Sequence, residues 1–254
     1  MFSSGIRLAT LVCVIFLAGC SKDLDLTEFE NVSPDKILER ALSEMESKNY
    51  ENAIQIFEEL ERLHPYSRLT ADAQINAGNC NYAIKKYDEA ITSFEIFIKT
   101  HPRHEKVPYA LYMLGVINFE QMPIIERDQE VTIKALSYFK ELVTKYPESE
   151  YVTRANEMVG ILRQQIAGRE VYVARFYQER HNYAAAVGRL NIVIGSYAET
   201  IHVPEAMHRL VECYAAMGFF EEAEAVNQLL QKNFVETQWA KYSKQLLVSQ
   251  TAKK

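Results

Sequence analysis

The sequence predicts an all-α protein: a superhelical solenoid of about five helix pairs, closed by a C-terminal capping helix. Three observations predict it. Glycine (9) and proline (7) are scarce in 254 residues, too few turn-formers for a many-stranded sheet. A motif recurs five times: an aromatic residue or threonine, an alanine three positions on, a larger residue four positions after that, and a turn eight positions further. A small residue marks the helix before each motif, and wherever one motif alanine precedes the next marker the distance is 25 residues. Apolar helices without a repeat would not hold that register.

The elements follow in order. Arg7 precedes an apolar run from Leu8 to Leu17, which ends in Leu17-Ala18-Gly19-Cys20. The run is too short to cross a bilayer as a helix but suits the apolar core of a secretory signal. An ordinary signal peptide cut near Gly19 would explain it. The Leu-Ala-Gly-Cys box is also similar to that of bacterial lipoproteins. That resemblance implies a signal peptide over 1–19, lipid on the thiol and new amine of Cys20, and a lipidated linker over 20–33. Each buried methylene contributes ~0.8 kcal/mol, so several acyl chains on one residue hold a protein firmly on a membrane. Ser21, in place of the aspartate that retains lipoproteins at the inner membrane, implies export to the outer membrane.

The repeats are expected at about 34–70, 71–107, 108–152, 153–203 and 204–235, with the capping helix over 236–248. The motif reads Tyr50, Ala53, Phe57, Pro65 in the first and Tyr87, Ala90, Phe94, Pro102 in the second. It reads Thr132, Ala135, Phe139, Pro147 in the third, Tyr183, Ala186, Leu190, Ala198 in the fourth, and Phe220, Ala223, Asn227, Val235 in the fifth. Each copy reads as the second helix of a pair, its alanine admitting a neighbouring helix and its larger residue sharing that face. The first-helix markers are Ala41, Gly78, Gly115, Gly160 and Val211. Within the pairs the marker precedes the alanine by 12, 12, 20, 26 and 12 residues. The repeat unit is 37 residues, close to the 34-residue tetratricopeptide repeat. Leu114-Gly115 and the set Ala53, Phe57, Pro65 resemble that family's pattern, although no copy has its early tryptophan. One such pair cannot bury its apolar face alone, and stacking several creates a continuous core and a concave surface.

Two pairs are irregular. The third carries extra residues around Gln121 to Glu130, where Met122-Pro123 predicts a protruding loop. The fourth carries fourteen more between Gly160 and Ala186. That is nearly four helical turns, and no proline interrupts Tyr151 to Arg180, so a lengthened first helix is expected.

No catalytic set is present: no glycine-rich phosphate loop, no serine nucleophile elbow, no HExxH. His101 and His104 have metal-compatible spacing, but His64-Pro65 and His101-Pro102 occupy one repeat position and a turn explains both. Cys80 and Cys213 lie in apolar helical stretches and read as buried free thiols. A formal net charge of -6 and the absence of a basic block argue against nucleic acid as a partner. Binding of other proteins is therefore expected. Candidate groove residues are Asn79, Tyr82, Tyr109, Tyr112 and Phe119, on inner first-helix positions where aromatics could anchor a partner; the alternative is that they pack between repeats. A second candidate face is rich in aromatics and charge: Glu170, Arg175, Phe176, Tyr177, Arg180 and Arg189. There the alternative is a solvated helix with arginine stems lying on its surface.

Several segments carry a closer resemblance. They are Tyr112-Met113-Leu114-Gly115; Arg127-Asp128; Tyr146-Pro147-Glu148-Ser149 with Tyr151; and Ala174-Arg175-Phe176-Tyr177 through Arg180, Tyr183, Ala186 and Arg189. With the lipobox and five repeats, the chain resembles the BamD family, lipoproteins of the β-barrel assembly machinery, over nearly its whole mature length. It departs from that pattern at His181, where the family has glycine, at Ala198, where it has proline, and in a shorter loop before Arg127. The resemblance implies a scaffold without catalytic activity or cofactor, at the periplasmic face of the outer membrane. It implies that the C-terminal repeats bind periplasmic domains of the barrel protein BamA. It further implies that the N-terminal repeats receive C-terminal signals of unfolded outer-membrane proteins, with other assembly lipoproteins as further partners. Other repeat lipoproteins, a pilus-assembly pilotin or a cell-division coordinator, share the helix pairs but not the Phe176–Arg189 pattern. A cell-wall hydrolase would need catalytic carboxylates or a nucleophile in the groove.

Overall fold

The computed structural model describes residues 24–251, and Cys20 with the signal segment lies outside them. Eleven α-helices follow a short 3-10 turn at Leu26–Phe29 among the described residues. They are α1 (Pro34–Glu46), α2 (Tyr50–Leu63), α3 (Thr70–Ala83), α4 (Tyr87–Thr100), α5 (Val107–Glu120), α6 (Glu130–Lys145), α7 (Val152–Glu179), α8 (Tyr183–Ser196), α9 (Val203–Met217), α10 (Phe220–Phe234) and α11 (Gln238–Thr251). Consecutive helices pack on one another in five antiparallel pairs, and α11 packs on α9 and α10. The fold is all-α, as the repeat pattern predicts.

The turns explain the spacing. Within four pairs, one residue adopts a left-handed backbone conformation: Lys48, Lys85, His181 and Gly218. Only Gly218 does so without a side-chain penalty. Between pairs, the second helix ends at His64, His101, Tyr146 and Tyr197 with closely similar backbone angles. Proline follows the first three and prevents the helix from continuing. Ala198 follows the fourth with the same geometry, so proline is not required there.

The markers set how closely the helices approach. A Cβ built on Gly115 would lie 2.5 Å from the Phe139 ring, and one on Gly78 would lie 3.0 Å from Phe94. Both rings are fully buried. Gly160 does not play this part: it is exposed, with nothing within 4 Å of where its Cβ would be. The fourth marker is Ala174, fully buried and twelve residues before Ala186. The fourteen added residues therefore precede the marker rather than separate it from the second helix.

The physical reason lies in α7, 28 residues long and so about 42 Å at 1.5 Å per residue. Its first half places Ala155, Leu162 and Ile166 in a core shared with α3 to α6. Its second half places Ala167, Val171 and Ala174 in a second core with α8 to α11. A third core joins α1 and α2 to one side of α3. The stretch read as a linker also packs: from Leu24 onward Leu24, Leu26, Phe29 and Val32 cover the first pair, and Phe29 is buried.

Candidate partner-binding surfaces

The inner face of α3 and α5 carries the predicted aromatics, but much of their surface is engaged internally. Tyr109 donates from its hydroxyl to Asn79 Oδ1 at 2.7 Å and meets the edge of Phe94. Burial pushes its phenol pKa up. Tyr112 stacks on Tyr151 with ring centroids 5.0 Å apart and tilts against Phe139. Tyr82 and Tyr87 both donate to the Glu120 carboxylate, at 2.6 and 3.2 Å. That acceptor, together with burial, pushes the Tyr82 phenol up to about 12. Phe119 is half-buried against the same core. All five candidates keep only part of their surface open. Tyr151 and Glu120, which complete the arrangement, were missed as groove residues, because neither lies at a repeat marker.

The loop of the third pair does not protrude freely. Gln165 donates to Pro123 O at 2.7 Å, and Arg169 donates to Ile125 O and Glu126 O at 3.3 and 2.8 Å. Ile125 sits over Gly168, where a Cβ would be 3.0 Å from it. Buried Gln129 closes the loop, donating to Ile124 O and Arg127 O. Asp128 accepts from the Glu130 N–H at 2.8 Å and starts α6, so its role is local. The Arg127 side chain is exposed and has no ion pair among the described residues.

The second half of α7 has two sides. On one, Arg175 Nε donates to Glu205 Oε1 at 2.8 Å, and Arg209 Nε reaches the same oxygen at 2.7 Å. Glu205 is buried, so two guanidiniums offset its desolvation. Glu170 pairs with Arg189 at 3.1 Å. These charges bind α7 to α8 and α9, so on this side they form neither an open binding face nor a solvated surface. Tyr177 is half-buried in the C-terminal core.

The other side is open. Tyr172 (39% exposed) and Phe176 (45% exposed) lie four residues apart. Arg169 covers the Tyr172 ring at 5.5 Å, and Arg180 lies 3.6 Å over the centre of Phe176. Arg169, Tyr172, Phe176 and Arg180 are spaced by three, four and four residues, one continuous stripe of the helix. Guanidiniums over exposed rings hold them in place and leave flat surfaces for contact. Tyr172 belongs to the aromatic stretch from Glu170 to Arg189 that the sequence marks as a candidate face, whereas Arg169 was missed although its helical spacing from Phe176 was available.

Comparison with known proteins decides the ancestry. The family model described as YfiO, outer membrane lipoprotein, matches residues 30–229. The chain belongs to the YfiO family. The match to this family runs from just before α1 into α10 and covers both surfaces. Among curated relatives, the outer membrane protein assembly factor BamD of Caulobacter vibrioides is 32% identical over 92% of this chain and 77% of its own length. That of Rickettsia prowazekii is 28% identical over 94% and 95%. Among solved structures, YrrB, a TPR protein with an unusual peptide-binding site, is 17% identical over 87% of this chain and 98% of its own, with a TM-score of 0.40. Within this YfiO-family chain, His181 occupies a left-handed turn, a conformation that glycine adopts at no side-chain cost. Its ring is held by the Tyr183 hydroxyl at 2.9 Å.

Cys80 and Cys213 are buried free thiols, pushed up to about 11 by desolvation. Among the described residues no cluster of three or more histidines, cysteines or carboxylates could hold a metal. No helix among them is long and apolar enough to cross a membrane.

Proposed function

We propose that this chain is an outer membrane protein assembly factor that works by binding and positioning other proteins, without covalent chemistry. The observation that carries this reading is the family match across both candidate surfaces, joined to relatives described as assembly factors along nearly the whole chain. Anchoring by lipid at Cys20, on the periplasmic face of the outer membrane, fits the lipobox and the family description.

The open stripe of α7 is the contact for the barrel subunit, BamA. Phe176 is the anchor: burying a phenylalanine stabilises by about 1.5–3 kcal/mol, and such anchors dominate interfaces. Arg169 and Arg180 flank it along the stripe, and Arg127 stands on the loop that Arg169 holds; together they are guiding charge that sets encounter rate and register. Arg175, Glu170 and Arg189 contribute by holding α7 on α8 and α9. The half-open aromatics of α3 and α5 form the receiving surface for the C-terminal segments of unfolded barrel proteins. An extended peptide can lie on them edge-on, with Tyr112 and Phe119 giving the apolar contact.

The test is co-purification from detergent-solubilised envelope. Phe176→Ala with Arg180→Glu leaves every buried ion pair intact, so the fold should persist while recovery of the barrel subunit falls at least about tenfold, the loss of one buried aromatic anchor. Wild-type recovery with the folded double variant would place the contact elsewhere.

A further inference from the structure

A cleft of about 490 Å³ lies between α2 and α4, on the face of α3 turned away from the aromatic groove. Gln74 and Asn81 point into it from α3, seven residues and so two turns apart. Asn79 and Asp72, which face the groove, lie about half a turn round the same helix. The floor is apolar: Phe57, Ala73 and Ala77 are buried. The walls are acidic, with Glu58 and Glu61 from α2 and Asp88 and Glu89 from α4.

Two further observations concern these walls, where Lys86 acts on Glu58 without forming a salt bridge. Glu58, Asp88 and Glu89 make no salt bridge among the described residues, while Glu61 accepts only from the Gln74 amide at 2.6 Å. Burial and the charge of Glu61 push the Glu58 carboxyl up, opposed by Lys86. The second observation is Asn81. Its side chain is only 4% exposed, lines the cleft, and has no hydrogen-bond partner among the described residues. No fully buried side-chain oxygen or nitrogen among the described residues lacks a partner, so the Asn81 amide keeps its small remaining accessible surface, and that surface faces the cleft. Nearby hydroxyls do not serve it: Thr92 and Ser93 donate back to Asp88 O and Glu89 O of their own helix.

We propose that this cleft binds an arginine or lysine side chain of an extended partner polypeptide. The aliphatic stem of such a side chain covers Phe57 and the alanines. Its cationic head meets Glu58 and Asp88 and hydrogen-bonds the Asn81 carbonyl oxygen. The site is independent of the groove and of the α7 stripe, because it lies on the opposite face of α3 and in the first two pairs.

The test uses fluorescence anisotropy of the full chain, solubilised in detergent, with labelled Leu-Arg-Leu-Arg and its neutral isostere Leu-citrulline-Leu-citrulline. The arginine peptide should bind saturably. Glu58→Gln with Asp88→Asn should weaken it at least about tenfold, the scale of a lost charge-assisted contact. Asn81→Leu should weaken it as well, and Glu89→Gln alone should weaken it less. Glu221→Gln, an exposed carboxylate of α10, should leave the affinity unchanged. Equal affinity for the citrulline peptide, undiminished binding by the folded Glu58→Gln and Asp88→Asn variant, or no saturable binding of the arginine peptide would each overturn the proposal.

Discussion

Alanine substitution at Gly78, Gly115 and Gly160 should give three different results. All three glycines lie inside helices, so each alanine gains about 1 kcal/mol of helix propensity. What opposes that gain differs from site to site. At Gly160 nothing lies within 4 Å, and Gly160→Ala should stabilise by about 0.5–1 kcal/mol. At Gly78 the new methyl would meet the Phe94 ring at 3.0–3.1 Å, so repulsion and propensity should nearly cancel. At Gly115 it would lie 2.5–2.7 Å from three atoms of Phe139. That ring is fully buried and cannot swing away, so overpacking of about 1–3 kcal/mol should outweigh the gain. The fourth pair suggests the rescue, since Ala174 and Leu190 stand there where Gly115 and Phe139 stand in the third. Combining Gly115→Ala with Phe139→Leu should therefore cost less than the sum of the two changes, by about 0.5–3 kcal/mol of coupling. Urea denaturation followed by circular dichroism measures all five proteins. Stabilisation of Gly115→Ala to the same degree as Gly160→Ala, or additive costs in the double variant, would refute the reasoning.

Other outcomes follow from single contacts. Gly168→Leu should displace Ile125 and raise hydrogen exchange across residues 121–129 while leaving α1 to α4 unchanged. Lys85→Gly should stabilise by up to ~1 kcal/mol by relieving a left-handed backbone, seen as a raised Tm; a lowered Tm would contradict that turn geometry. Cys80 and Cys213, both raised to about 11, should resist alkylation at pH 8 in the native chain and react once it is unfolded. Charged substitutions at Tyr82 and Tyr112 should weaken crosslinking to a barrel-protein C-terminal peptide with helix content unchanged; undiminished crosslinking would remove the groove from the account.

The helix pairs were legible because each imposes a strict requirement on the chain: a small residue, a large one facing it, and a turn at a fixed distance. The length of α7 was legible for the same reason, since no proline or turn cluster interrupts it. Its purpose was not. Gly160 matched the 25-residue spacing by position alone, and only packing shows that Ala174 is the residue meeting the neighbouring helix. The charges of α7 were misread because their partners, Glu205 on α9 and Arg189 on α8, lie thirty and nineteen residues away. Periodicity says which face a residue occupies but not which distant side chain meets it there. Asn81 was invisible for a related reason, since the cleft it lines is a property of three packed helices and not of any local pattern.

Assembly of outer-membrane barrels through binding is open to a direct test by depletion. The chain would be depleted conditionally in its native host, and folded barrel proteins quantified by their heat-modifiable migration in washed outer membranes. The account predicts that folded barrels fall first while inner-membrane proteins hold steady, and that a Phe176→Ala, Arg180→Glu copy fails to restore them. Normal barrel content in depleted cells, with pili or division septa failing instead, would contradict it.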